Sequence, residues 1–147
     1  KKKKFPGVVL RLYQVYGPKQ DINRLIPAVI DQSLRNKKIL CTDGFQLRDF
    51  LYIDDLTDLI FKVINNNKSR GEIFNIGFSK PIEIKSVINK IVKKTGSGIP
   101  IFGAIKIRKD EISIMYPSIS KAKKILKWSP KISFSIGLNK TIKSYLT

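Results

Sequence analysis

Histidine is missing from this sequence altogether, and cysteine, methionine and tryptophan occur once each. Without histidine there is no histidine-based metal site and no Ser-His-Asp or Cys-His arrangement. A lone Cys41 cannot close an internal disulfide, which suits a reducing, cytoplasmic compartment. No apolar run reaches the length of a membrane span, about 18–20 residues. The lysines at the start are not followed by the continuous apolar stretch of a signal peptide. A glycine-rich phosphate loop is also absent. Its nearest candidate, Gly96-Ser97-Gly98-Ile99-Pro100-Ile101, lacks the third glycine of G-x-G-x-x-G and leads into a strand instead of following one. Nor does any tyrosine precede a lysine at the spacing Y-x-x-x-K: Tyr13, Tyr16, Tyr52 and Tyr116 are followed at that distance by Gly17, Gln20, Leu56 and Ser120. No catalytic residue and no metal-ligand set is assigned.

Acidic residues are scarce as well. Eleven of them face 29 basic ones, a net charge of +18 that by itself suggests an anionic partner. Nucleic-acid binders concentrate lysine and arginine on a stripe and interleave exposed aromatics. Here the lysines are scattered, mostly beside isoleucine and asparagine, as on solvated helix faces. That pattern argues against nucleic acid, although a stand-alone basic module binding nucleic acid or another polyanion stays open as the alternative. The chain opens on Lys1 and not on methionine, so its expected origin is the interior of a longer protein.

What is present reads as alternating strands and helices. The run 8–13 (VVLRLY) is a buried strand stopped by Tyr16-Gly17-Pro18. A helix is predicted over 24–36, capped by Asp21 or Asn23, with Pro27 tolerated in its first turn. A short strand at 38–41 and a turn at Thr42-Asp43-Gly44 follow, then a strand over 46–53. Asp54 is the expected cap of a helix over 55–65, with acidic side chains at its positive end. Further on come a strand at 72–76, a helix at 81–94, a strand at 99–102 and an irregular stretch at 103–117. A helix capped by Ser118 and a last amphipathic helix at 135–146 complete an α/β reading.

Two arginines stand out as anion ligands. Arg48 sits at the head of a strand beside a tight turn, and Arg108 lies in the irregular stretch. Two guanidinium forks on separate segments suit paired hydrogen bonds to phosphate oxygens. Each also has a carboxylate close in sequence, Asp49 or Glu111, and a structural ion pair is the competing reading.

The motifs fall in a familiar order: Leu10-Arg11 with Val15-Tyr16-Gly17-Pro18, Leu25-Ile26-Pro27, Gly44 with Arg48-Asp49-Phe50-Leu51-Tyr52-Ile53-Asp54-Asp55-Leu56, Phe74-Asn75-Ile76-Gly77, and Ser120-Lys121-Ala122 running to Trp128-Ser129-Pro130. From about residue 8 to the end this resembles the C-terminal half of the extended short-chain dehydrogenase/reductases, the NAD-dependent epimerases and dehydratases of nucleotide sugars. The resemblance implies C-terminal strands of a Rossmann-type sheet, from 8–17 and 72–95, and a small mixed α/β substrate-binding lobe from 18–71 and 96–147. It implies NAD as cofactor (NADP is not distinguished) and a nucleotide-diphosphate sugar as substrate. The glycine-rich loop and the Y-x-x-x-K pair of that family belong upstream, so this chain alone is expected to be inactive. Lys1–Lys4 would then end the catalytic helix or form the loop after it.

Carried over residue by residue, Tyr13 and Val15 stand at the nicotinamide end of the cofactor. Gln14, where the family has asparagine, stands at the sugar or its phosphate. Asn23, Arg24 and Leu25 open a helix toward the diphosphate. The strand ending at Cys41 flanks the base, Arg48 and Arg108 match the diphosphate clamp, and Asn75 stands near the ligand. Asp54, Asp55 and Trp128 match structural positions. No membrane partner is implied, and any homodimer would run through the missing half. A non-catalytic nucleotide-sugar sensor is a further reading.

Overall fold

The computed structural model describes residues 7–146, so Lys1–Lys4 lie outside the described residues. In chain order the elements are β1 (Val9–Leu12), β2 (Gln14–Tyr16), α1 (Leu25–Leu34), β3 (Lys38–Leu40), β4 (Leu47–Arg48), β5 (Phe50–Tyr52) and α2 (Ile53–Ile64). After a 3-10 turn at Asn67–Ser69 follow β6 (Ile73–Ile76), β7 (Ile82–Glu83), α3 (Ile84–Thr95), β8 (Ile99–Ile101), β9 (Ile114–Met115), α4 (Ser120–Leu126) and α5 (Phe134–Leu146).

Parallel pairing dominates, as the alternation of strands with helices requires. β1 runs beside β6, with Val9 opposite Ile73 and Leu12 opposite Ile76, and it is mostly exposed where the sequence predicts a buried strand. β2 pairs with β5, and β3 with β8, both parallel. β4 is the centre of a small mixed sheet, antiparallel to β7 and parallel to β9.

Two apolar cores form, and they do not follow chain order. In one, Ile26, Val29 and Ile30 of α1 meet Val87, Ile88 and Ile91 of α3 and Leu138 and Ile142 of α5. Tyr16, Phe50, Tyr52 and Phe134 close this core with tilted and edge-on ring contacts, centroids 5.4–6.2 Å apart. In the other, Phe74 and Ile76 of β6 pack with Leu56 and Leu59 of α2, Ala122 and Leu126 of α4, and Trp128. Trp128 is buried, as a packing anchor should be.

Several local expectations are corrected. The stretch 46–53 is two short strands, interrupted at Asp49, whose buried carboxylate accepts the N–H groups of Phe78 (2.6 Å) and Lys80 (3.1 Å). That carboxylate pins the turn after β6 to the start of β5, and a Cβ on Gly77 would collide with its Oδ2. The helix expected from 55 begins at Ile53 without a side-chain cap. Asp54 pairs with Lys140 at 3.0 Å, and buried Asp55 accepts the backbone N–H groups of Lys131 and Ile132, both at 2.9 Å. Asp21 bonds Asn23 and neither caps α1, while Ser118 faces Ser120 and does not cap α4. The helix expected from 81 starts at Ile84 because Ile82 and Glu83 are taken by β4, and the stretch 103–117 contains β9.

Candidate functional site

Three neighbouring concavities gather most of the singled-out residues. The first is a cleft of about 280 Å³ between the start of β2, the start of α1, β4 and the 108–111 segment. Gln14, Leu25, Arg48 and Arg108 all line it, together with Gln46 and Glu111. Segments more than 90 residues apart in sequence, from Gln14 to Arg108, are thus brought to one wall.

The two arginines differ within this cleft. Arg48 is only 6% exposed, and its guanidinium donates to the carbonyls of Leu47 (2.9 Å), Ile112 (2.6 Å) and Ser113 (3.5 Å) and to Glu111 Oε1. The competing ion-pair reading is therefore realised at Arg48, with Glu111 as partner and not Asp49. Arg48 ties the 111–113 backbone to β4 and keeps few N–H groups for a ligand. Arg108 is exposed, and no carboxylate pairs with it among the described residues. Its five N–H donors are available to an anion.

The second concavity is an apolar slot of about 240 Å³ between α1, β3 and α3. Val29, Ile39, Cys41, Ile88 and Ile105 line it, and it shares Leu25, Thr42 and Ile84 with the cleft. Cys41 is buried, its Sγ donates to the carbonyl of Ile39 at 3.2 Å, and burial pushes its thiol above the ordinary range. A low thiolate fraction at neutral pH makes it a wall of the slot and not a nucleophile.

The third, about 250 Å³, lies where β1 passes into β2 and is lined by Tyr13, Gln14, Val15, Gln20 and Arg24. Tyr13 and Val15 are thereby together, and Gln14 belongs both to this concavity and to the arginine cleft. The remaining two do not join. Asn23 is exposed and bonded to Asp21, and Asn75 lies in β6 opposite Arg11; neither lines any of these concavities. No cluster of metal-ligating side chains exists among the described residues. No helix among them is long and apolar enough to cross a membrane.

Sequence reasoning missed Gln46 and the place of Glu111. Strand alternation was the available signal: Gln46 stands two residues before Arg48 and so on the same face. Glu111 gave none, since its contact with Arg48 depends on how β9 pairs with β4.

Known proteins of similar sequence and fold match nearly the whole of this chain. CDP-abequose synthase of Salmonella muenchen is 36% identical over 135 residues, covering 90% of this chain and 46% of that protein. The dTDP-D-glucose 4,6-dehydratase of Homo sapiens is 31% identical over 148 residues, covering 97% of this chain and 42% of its own. The crystal structure of UDP-glucuronic acid 4-epimerase from Bacillus cereus, in complex with UDP-glucuronic acid and NAD, matches with a TM-score of 0.86 at 34% identity, over 95% of this chain and 45% of that one. The chain spans less than half the length of these relatives. The model of the NAD dependent epimerase/dehydratase family matches residues 1–77, more than half of the 147, and the chain belongs to that family.

Proposed function

We propose that this chain is the nucleotide-sugar-binding portion of an NAD-dependent epimerase or dehydratase. The observation that carries the reading is the adjacency of two concavities: a cleft lined by Arg108 and Arg48 shares Leu25, Thr42 and Ile84 with an apolar slot. A charged diphosphate suits the first and a flat base the second. Arg108 supplies the charge-assisted hydrogen bonds to the diphosphate, and Arg48 holds the segment that presents Arg108. Ile39 and Cys41 then flank the base. Gln14, shared between the cleft and the concavity of Tyr13 and Val15, faces the sugar where it meets the cofactor.

The residues present fit one edge of NAD only. Tyr13 and Val15 offer a ring and backbone where β1 passes into β2, while the sequence holds no glycine-rich loop for a pyrophosphate. NAD, when bound, supplies a hydride acceptor for a carbon of the sugar. This chain contributes binding and orientation, and the base that takes the substrate proton belongs to the other half of such an enzyme.

Titration calorimetry of the full-length protein with UDP, dTDP, CDP and GDP sugars tests the reading. Binding of at least one, lost in Arg108→Ala, is expected; indifference to all four refutes it. Reading the coding sequence upstream of Lys1 is the companion test, with a G-x-x-G-x-x-G turn and a Y-x-x-x-K pair expected there. The second reading, a polyanion-binding module, draws on the lysine face of α3, where Lys85, Lys90 and Lys93 border a depression of about 390 Å³. It calls for steeply salt-dependent binding to generic DNA.

A further inference from the structure

Of the residues common to the arginine cleft and the apolar slot, Leu25 and Ile84 are apolar and only Thr42 carries a polar side chain. Thr42 is half-buried, its hydroxyl keeps solvent-accessible surface, and no group among the described residues bonds to that hydroxyl. A threonine side chain is short, so the hydroxyl stays close to the backbone where the two concavities meet. That backbone is fixed. Cys41 N donates to the carbonyl of Ile101 at 3.0 Å, and the Cys41 carbonyl accepts from Ile105 N at 3.0 Å. The Gly44 carbonyl accepts from Lys85 N at 2.8 Å. A free polar group held in this way loses little conformational freedom when a ligand engages it.

The order of groups in a nucleotide gives that position a meaning. In a nucleoside diphosphate the ribose separates the flat base from the charged diphosphate. With the base in the slot and the diphosphate at Arg108, the ribose spans the boundary between them. That boundary is Leu25, Thr42 and Ile84. Leu25 and Ile84 offer apolar surface to ring carbons, and Thr42 alone offers a hydrogen bond. Gln32 belongs to the slot and not the cleft, and Gln46 to the cleft and not the slot. A threonine hydroxyl both donates and accepts, so it meets a ribose hydroxyl in either sense.

Resting on the nucleotide-sugar reading above, we propose that Thr42 hydrogen-bonds a ribose hydroxyl of the nucleotide and so reads the pentose. The contact makes affinity depend on which ribose hydroxyls the nucleotide carries, separately from the phosphates at Arg108.

The test uses the full-length protein as wild type, Thr42→Val, which removes the hydroxyl and keeps the shape, and Thr42→Ser, which keeps the hydroxyl. Calorimetry is run with whichever of UDP, CDP, GDP and dTDP binds wild type most tightly. The same nucleotide lacking each ribose hydroxyl in turn, and pyrophosphate, complete the set. Removing one of the hydroxyls is expected to weaken binding to wild type about three- to tenfold, the scale of one neutral hydrogen bond. Thr42→Val should lose as much with the intact nucleotide and nothing further with the deoxy form, the non-additivity of two groups in contact. Thr42→Ser should follow wild type with both. Pyrophosphate affinity should be the same in all three proteins. Wild-type binding that is indifferent to every ribose hydroxyl overturns the proposal without recourse to a variant. So do additive losses, which place the partner of Thr42 elsewhere, and an equal Thr42→Val loss for pyrophosphate, which places it on phosphate. If wild type binds pyrophosphate but no nucleotide, the nucleotide-sugar reading fails first and this proposal falls with it.

Discussion

Removing a guanidinium has different consequences at Arg48 and at Arg108, although both line one cleft. At Arg108 the side chain is exposed and unpaired by any carboxylate among the described residues, so its loss should cost ligand and not fold. Arg108→Ala is expected to weaken nucleoside-diphosphate binding by about 2–3 kcal/mol, the range for a charged hydrogen-bonding partner. Its melting temperature should match wild type. Arg48→Ala strips donors from Glu111 and from the carbonyls of Leu47, Ile112 and Ser113. Leaving those partly buried acceptors unpaired is expected to cost about 2–3 kcal/mol of stability. Thermal melts of both variants beside calorimetry check this; an Arg48→Ala protein of wild-type stability would mean the contacts to 111–113 carry no weight. Cys41 offers a second residue-scale test. Burial raises its thiol, so the thiolate fraction at neutral pH is below that of an ordinary cysteine. Alkylation by iodoacetamide should be slow at pH 7, rise only at more alkaline pH, and slow further when a nucleotide fills the slot. Fast labelling of the folded protein at pH 7 would show the slot wall to be open.

At the scale of elements, α5 presents a case where two effects of one methyl oppose each other. Gly137 lies inside this helix, where alanine is intrinsically better by about 1 kcal/mol. A Cβ there, however, would run into the Tyr16 hydroxyl and approach Tyr52 Cδ2 at 2.7 Å, both part of a packed aromatic group. Overpacking of this kind costs about 1–3 kcal/mol and wins. Gly137→Ala is expected to lower stability by up to about 2 kcal/mol in denaturant titration. A more stable variant would show that α5 can shift away from the sheet. Asp49 adds a pH signature to the turn that it pins. Burial raises its carboxyl, while the N–H groups of Phe78 and Lys80 oppose that rise. The folded state therefore holds the proton more tightly than the unfolded one. Stability from this group is present below the ordinary carboxylate value and is lost as pH rises through the folded value. Melts of Asp49→Asn beside wild type, across the acidic range, should show that component only in wild type.

These elements also mark what could be read in advance. The long helices were legible because apolar residues recur at helical spacing, as in Ile84, Val87, Ile88 and Ile91. The expected side-chain caps failed for a reason no local pattern records. Asp55 is drawn onto the 131–132 backbone and Asp54 onto Lys140, partners some 76 to 86 residues away. The two-residue strands β4, β7 and β9 carry no periodicity at all, and they exist because they pair with one another. Part of the cleft was legible as a set of residue types, through Gln14, Leu25, Arg48 and Arg108. Its division of labour was not, since the burial of Arg48 and the orphaned amide of Gln46 are products of that pairing.

For the whole molecule, the open side of the β1–β6 pair matters most. β1 pairs only with β6 among the described residues, and Val9, Leu12 and Ile73 are all substantially exposed. An apolar strand with an unpaired edge is a template for another strand. In this 147-residue chain by itself, self-association along that edge competes with the repulsion of a +18 net charge. Salt decides between them, because added salt screens the repulsion within about 10 Å at 0.1 M and leaves strand pairing intact. The isolated chain is therefore expected to stay dispersed at low salt and to associate as ionic strength rises. Val9→Lys, which places a charge on that strand, should delay the onset. Light scattering across a salt series measures both effects. Scattering that falls with salt in both proteins would place the association on charge and not on the edge of β1.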